Sequence, residues 1–552
     1  MSWSTRQLLT DPLPRLLLAW MLCITVASQR LRHALTTFAT EPDTPAEKVR
    51  ADGNEGHAQI DFGGQWLMGR MVATGRGREL YHRNRQWEVA REGYPRAAEA
   101  PETQRYAFPE DARPTTFKES DARHDAESLM SWTMGTDSPA WQQFSPLVAL
   151  PFAATGPLDA AMLLSVTHQH ATPELVAELE KPVIGGPLYP PVHALLYSPL
   201  SLEPPKQAYH WFQFLSVLIA FACGWFVCVI CGGRVWTPLA TLAILLFPGC
   251  RSGLDLGQNH VLTLAVVLGG WALASRQREY AGGAVWGLLA FKPVWGLAFA
   301  VVPLLLGRWR FLMGLTVSGC SLVLLTLPVV GVQAWKDWLA VGKGAAVEYD
   351  VNERWIELSR DLSGVVRRVV IDFELPQSER PSVVADRLSW ALWATVFLGT
   401  AVVHRLRRHR PEAEGFLFLG AVLTCYRFMY YDALLAVVPF AVLFAHLRPP
   451  TVRAAATSFV GVMLLLLLLC ENWWNRLDLR ATFAFGFLKP AAETAAVPSI
   501  QFATDYEYPL DTLLLLVLWV GLAVKLLRQP RKSSSAAPMS GDRIKDSPTR
   551  TA

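Results

Sequence analysis

The feature that most constrains this chain is a series of long apolar runs. Val261–Ala274, Leu312–Val330 and Val460–Cys470 carry no charged residue at all. A helix that crosses the hydrocarbon of a bilayer needs about 20 mostly apolar residues. These runs do not alternate between apolar and polar, as the strands of a membrane barrel would. Charged residues make up only 18% of the chain, where a soluble domain carries about a quarter. The sequence therefore implies an all-α polytopic membrane protein and excludes an ordinary soluble enzyme.

Taken in order, Met1–Arg15 is short and basic, and Leu16–Ser28 is apolar. Together, residues 1–32 read as an N-terminal cytoplasmic segment and signal anchor. Residues 33–207 follow as one large extracytoplasmic loop. It starts polar and rich in Pro, Glu and Asp over 33–58, then gives an apolar helix from Asp61 to Gly75. Residues 83–145 show no clear period, and 146–166 reads as an interfacial helix pair. His168 and His170 lack a third ligand and read as a loop pair rather than a metal site. From 208 to 527 the chain is a multi-span transmembrane domain. Spans are expected at 208–231, 236–250, 259–275, 311–331, 388–405, 414–429, 432–447, 455–470 and 510–527, about ten with the anchor. Residues 528–552 read as a disordered cytoplasmic tail. None of the 8 cysteines lies in 33–207, so no disulfide framework supports the loop. Cys228 and Cys231 have redox spacing, but they end an apolar helix and read as packing residues.

Cytoplasmic connectors accumulate Lys and Arg. Here the basic connectors are Arg234, Arg276 with Arg278, Arg308 with Arg310, the run 404–408, Arg448 with Arg453, and the tail from Lys525. Two of them flank a single apolar stretch, 280–306, and one crossing would put them on opposite sides. That stretch is interrupted at Lys292-Pro293. Proline breaks a helix, and a charge within a membrane protein is tolerated where protein or water surrounds it. Residues 280–306 are therefore expected to form a broken-helix hairpin with Lys292 at its tip. Every basic connector then faces inside.

The same scheme gathers the chemically interesting residues outside. They are Asp61, Tyr189 of Tyr189-Pro190-Pro191, the run Gln258, Asn259 and His260 after Gly257, Lys292, Arg354 of Asn352–Arg360, and Arg427 and Asp432. Most have a plainer explanation. Asp61 fits a helix cap, and Gln258, Asn259 and His260 fit caps of the next span. Tyr189-Pro190-Pro191 fits a rigid turn. Arg354 fits a solvated loop cation, and Arg427 and Asp432 fit a pair with each other. Lys292, set between apolar halves, is hardest to explain without a function.

These residues resemble a known pattern. Asp61-Phe62 with Gly75 and Tyr81 is similar to the first-loop signature of glycosyltransferase family 87, the polyprenyl-phosphate-mannose-dependent transferases of the GT-C fold. Leu188-Tyr189-Pro190-Pro191 with Ser198-Pro199-Leu200 resembles its Tyr-Pro-Pro element. The longest stretch of likeness is Gly257-Gln258-Asn259, Ala281-Gly282-Gly283, Phe291-Lys292-Pro293 and Gly307-Arg308-Trp309-Arg310. Ser359–Arg368 and Tyr430-Tyr431-Asp432 with Pro439 resemble its later elements. Two features depart from the pattern: the insertion from 83 to about 185, and the lack of a second acid beside Asp61.

The resemblance implies a GT-C-like membrane glycosyltransferase in the cell membrane, with its active site extracytoplasmic. Its donor would be a polyprenyl-phosphate-linked sugar, mannose or another hexose, and its acceptor a glycan or glycolipid. Transfer would invert the anomeric carbon. Asp61 would be the general base, and Lys292 would hold the departing phosphate with help from Gln258, Asn259 or His260. Tyr189, Arg354, Arg427 and Asp432 would complete the substrate site. No cofactor is called for, a divalent metal stays open, and membrane lipid but no nucleic acid is an expected partner. A transporter or flippase of a lipid-linked glycan is the alternative, since broken helices beside buried charges mark transporters too. No internal repeat of half-chains supports it.

Overall fold

A computed structural model describes residues 12–36, 57–93, 184, 186–351, 353–372, 375, 380–446 and 510–528. The expected interfacial pair 146–166, His168, His170, the span 455–470 and the tail lie outside the described residues.

Among those residues the chain is helical, with two isolated bridges, His82–Ile184 and Ser359–Met429. The helices are α1 Pro12–Thr36, α2 His57–Ala73, α3 Arg83–Gly93, α4 Pro191–Tyr197, α5 Pro205–Ile230 and α6 Thr237–Leu246. There follow α7 Pro248–Asp255, α8 His260–Ser275, α9 Glu279–Gly287, α10 Pro293–Leu305 and α11 Trp309–Val351. The last are α12 Glu353–Leu358, α13 Leu362–Val370, α14 Ser382–Arg407, α15 Glu412–Leu423, α16 Val437–Ala445 and α17 Leu510–Arg528. Proline sets several starts: α4, α5, α6, α7 and α10 each carry it in the first two positions. Its fixed φ suits a first turn, and its missing N–H would be unpaired there anyway.

Among the described residues, two helices are long and apolar enough to cross a membrane: Pro205–Ile230 and Trp309–Ala346. Thr237–Leu246 with Gly249–Asp255, bent by 68°, makes a third if the pair counts as one span. His260–Ser275, Pro293–Leu305 and Tyr430–Ala445 are shorter apolar helices. Several of the expected spans change shape. The span 236–250 breaks at Phe247-Pro248, and residues 251–255, placed in an outer connector, continue as α7. The span 311–331 runs on, with non-helical backbone at Gly331. The span 414–429 ends at Leu423, and 432–447 opens as a 3-10 turn, Tyr430–Ala436.

The stretch 280–306 is a hairpin. α9 passes into a 3-10 turn, Leu288–Phe291, stops at Lys292 and resumes as α10. Trp286 faces Phe299 at 5.7 Å between ring centroids, and a Cβ on Gly296 would lie 3.3 Å from Leu289 Cβ. Those pairings run antiparallel. The start of α11 then lies parallel to α9. A Cβ on Gly283 would fall 1.9 Å from the Phe311 carbonyl oxygen, and one on Gly287 2.5 Å from Ser318 Cβ. Only glycine permits that approach, so Gly282-Gly283 is a packing surface.

The hairpin brings the basic connectors to one end of the bundle. The Arg308 guanidinium lies 4.6 Å from the Trp271 ring and 3.7 Å from Glu414. His446 reaches the same Glu414 at 3.6 Å, and Lys525 reaches Glu412 at 3.5 Å. Arg234 donates to the Ala445 carbonyl at 2.9 Å, and Arg407 to that of Leu527 at 2.7 Å. At the other end are the hairpin tip and the turn after α15.

Candidate active site

α2 begins at His57, so Asp61 is inside the helix and not at its cap as expected. The apolar face of α2 is buried through Phe62, Trp66, Leu67 and Met71. Phe62 packs against the turn that ends α7. Gly257 there has φ 65, and a Cβ on it would fall 2.7 Å from Phe62 Cβ. This residue needs glycine both for its backbone and for space.

That contact brings Gln258 to Asp61. The Gln258 amide Nε2 donates to Asp61 Oδ1 at 2.8 Å, and the Tyr189 hydroxyl donates to Gln258 Oε1 at 2.9 Å. A carboxylate can only accept, so the amide must turn its nitrogen to Asp61 and its oxygen to Tyr189. Gln65 Nε2 ties the two backbones, donating to the carbonyls of Asp61 at 3.1 Å and Gly257 at 2.9 Å. Tyr189 is itself held: the Tyr81 hydroxyl donates to its carbonyl at 2.6 Å.

Past Tyr189 the network continues as stacked rings. His193 lies 4.1 Å from the Tyr189 ring at 12° and 4.4 Å from the Tyr197 ring at 13°. Phe291 lies beside it, tilted at 52° with centroids 6.2 Å apart. Burial, and then the nearby charge of Lys292, hold the His193 imidazole well below its ordinary range. It is neutral at physiological pH.

Lys292 follows Phe291 at the hairpin tip. Its ammonium donates to Asp432 Oδ1 at 2.6 Å and lies 5.3 Å from the Tyr431 ring. The side chains are 12% and 4% exposed. Asp432 thus pairs with Lys292 and not with Arg427. Arg427 instead donates to Ser363 Oγ at 3.0 Å and stacks on Tyr426 at 5.1 Å. Its φ of 54 is unusual for a residue with a side chain. Cys425 Sγ contacts the Val294 carbonyl at 3.8 Å, which sets this turn beside the hairpin tip.

Asn259 is fully buried at the start of α8, makes no cap bond, and has no partner for either side-chain polar atom among the described residues. His260 Nδ1 lies 3.0 Å from the Gln258 carbonyl and Nε2 3.2 Å from that of Cys250. Its ring therefore braces the turn between α7 and α8 behind Gln258. Arg354 falls in α12. His193 and Gln65 went unselected in the sequence. The only signal for His193 is one polar ring in an apolar helix, and Gln65 stands inside the first-loop stretch. No group of three or more His, Cys, Asp or Glu that could hold a metal ion occurs among the described residues.

The fold and site define a helical membrane protein in which hydrogen bonds and stacked rings run from a carboxylate to Phe291, the residue before a buried lysine–aspartate pair. Residues 188–428 match the family model of glycosyltransferase family 87, which supports membership of that family and with it glycosyltransferase activity. The match takes in Tyr189, Gln258 and Lys292 and leaves Asp61 and Asp432 outside. No curated protein and no solved structure matches the chain.

Proposed function

We propose that this chain moves a sugar, mannose or another hexose, from a polyprenyl-phosphate carrier to a hydroxyl of a glycan or glycolipid. The observation that carries the reading is one continuous set of contacts, Asp61–Gln258–Tyr189–His193, that ends beside Lys292. It joins a proton acceptor to an anion site across four separate stretches of sequence.

In the reaction the acceptor oxygen attacks the anomeric carbon from the face opposite the phosphate, which inverts that carbon. The new C–O bond forms as the bond to the phosphate oxygen breaks and its electron pair leaves with the lipid phosphate. Asp61 takes the acceptor's proton. The Gln258 N–H stabilises the ionised carboxylate and fixes its direction. Lys292 meets the charge that develops on the phosphate. An ammonium has three donors; one is given to Asp432, and no second hydrogen-bond acceptor contacts it among the described residues. Asp432 is the counter-ion that holds that ammonium in place. Asn259, Arg354 and Arg427 complete the substrate site.

The site faces the extracytoplasmic side of the cell membrane. The supporting observation is the gathering of Arg234, Arg308, Arg407 and Lys525 at the opposite end of the bundle, since cytoplasmic ends collect such residues.

Asp61→Asn tests the reading. The Asn oxygen can still accept from Gln258, but the side chain cannot take a proton. With purified protein and polyprenyl-phosphate sugar, kcat should fall by ~10²–10⁴ at unchanged stability. Transfer at the parent rate refutes it.

A further inference from the structure

We propose that the ring edge of His193 binds the phosphate of the lipid-linked donor together with Lys292; this rests on the reading above. His193 is fully buried, and neither ring nitrogen has a hydrogen-bond partner among the described residues. Buried polar atoms are nearly always paired, and an orphan calls for an explanation. Here both nitrogens of one ring are orphaned while the ring itself is held firmly. Tyr189 covers one face and Tyr197 the other. The imidazole cannot turn to find a partner, and its nitrogens lie in the ring plane. Only a ligand that meets the edge can reach them.

The neighbours indicate what that ligand is. Phe291 lies beside the ring, and the next residue is Lys292, whose ammonium has given one bond to Asp432. A phosphate monoester brings several acceptor oxygens to one place, more than a single ammonium satisfies. A neutral imidazole offers one N–H. It adds a donor beside the lysine without adding a second positive charge to an apolar site, and burial and Lys292 keep it neutral.

The test uses a short-chain polyprenyl monophosphate without sugar, and the full-length protein in detergent. His193→Phe keeps an aromatic ring in the stack and removes only the nitrogens. The Kd for the monophosphate should rise roughly ten- to a hundredfold, as for a lost bond to a charged group, with the melting temperature unchanged. His193→Gln restores a donor and should bind more tightly than His193→Phe, which covers a case where the phenyl ring disturbs packing. Lys292→Met is the reference arm. If Lys292→Met weakens binding and His193→Phe does not, the inference falls and the functional reading stands. If the parent does not bind the monophosphate, both fall. If His193→Phe loses sugar transfer with its monophosphate affinity intact, the nitrogens serve the sugar, and the inference is overturned.

Discussion

The Lys292–Asp432 pair separates structure from chemistry in one experiment. The two groups are 2.6 Å apart and almost wholly buried, at 12% and 4% side-chain exposure. Even at an effective dielectric of ~20, charges this close attract by about 6 kcal/mol, and desolvation cancels much of that. Removing one partner is different, because it strands the other charge in apolar surroundings. Lys292→Met and Asp432→Leu should each cost ~3–5 kcal/mol. The double variant carries no charge there and should return to near the parent stability, since an apolar pair often replaces a buried ion pair without loss. The non-additivity would then exceed the ~0.5–3 kcal/mol of ordinary contacting residues. Tryptophan-detected unfolding of the detergent-solubilised protein reads the stability, and sugar transfer from polyprenyl-phosphate sugar reads the activity. The double variant should be stable and inactive, because the phosphate has lost its cation. Additive costs, or a double variant as unstable as the worse single, would refute the reasoning. An active double variant would remove Lys292 from the chemistry.

Gly257→Ala should lower both stability and transfer, by ~1–3 kcal/mol for the strained backbone, because it pushes Phe62 and with it Asp61 away from Gln258; parent-like melting and rate would show that the turn does not set the site. His193 takes a proton less readily when folded than when unfolded, so its share of stability is complete above pH about 6.5 and is lost as pH falls below that. His193 should add up to ~1.4 kcal/mol per pH unit to the slope, so His193→Phe should be flatter by that much; equal slopes in melts from pH 7.5 to 5 would contradict it. In a cysteine-free background, Arg278→Cys and Arg308→Cys should label from the same face and Lys292→Cys from the other; labelling of 278 and 308 from opposite faces would remove the hairpin from the membrane reading.

What the sequence revealed and what it hid have physical causes. Asp61, Tyr189, Gln258, Lys292 and Asp432 could be gathered at one end because charge placement fixes which side a connector faces. Sidedness does not say who touches whom. The sequence left Asp432 open to Arg427, five residues away, yet its partner is Lys292, 140 residues distant. Asp61 read as a cap because the apolar pattern starts there, whereas helix α2 begins in the polar residues before it. His193 was hidden because its environment comes from rings on both sides and from Phe291, none of which a one-dimensional pattern places around it. The break at Lys292-Pro293 was legible because proline's constraint is local. The full spans were less so, since α6 and α7 bend by 68° within one apolar run.

The hairpin also works as a ruler. One arm is nine α-helical residues plus a four-residue 3-10 turn, about 21 Å, and the other is thirteen residues, about 20 Å. Neither matches the ~30 Å of bilayer hydrocarbon. The tip charge therefore lies about 20 Å from the connectors at Arg278 and Arg308, a distance that the two arms set together. Because the chain goes out along one arm and comes back along the other, α11 starts at the same end as α9 and runs parallel to it.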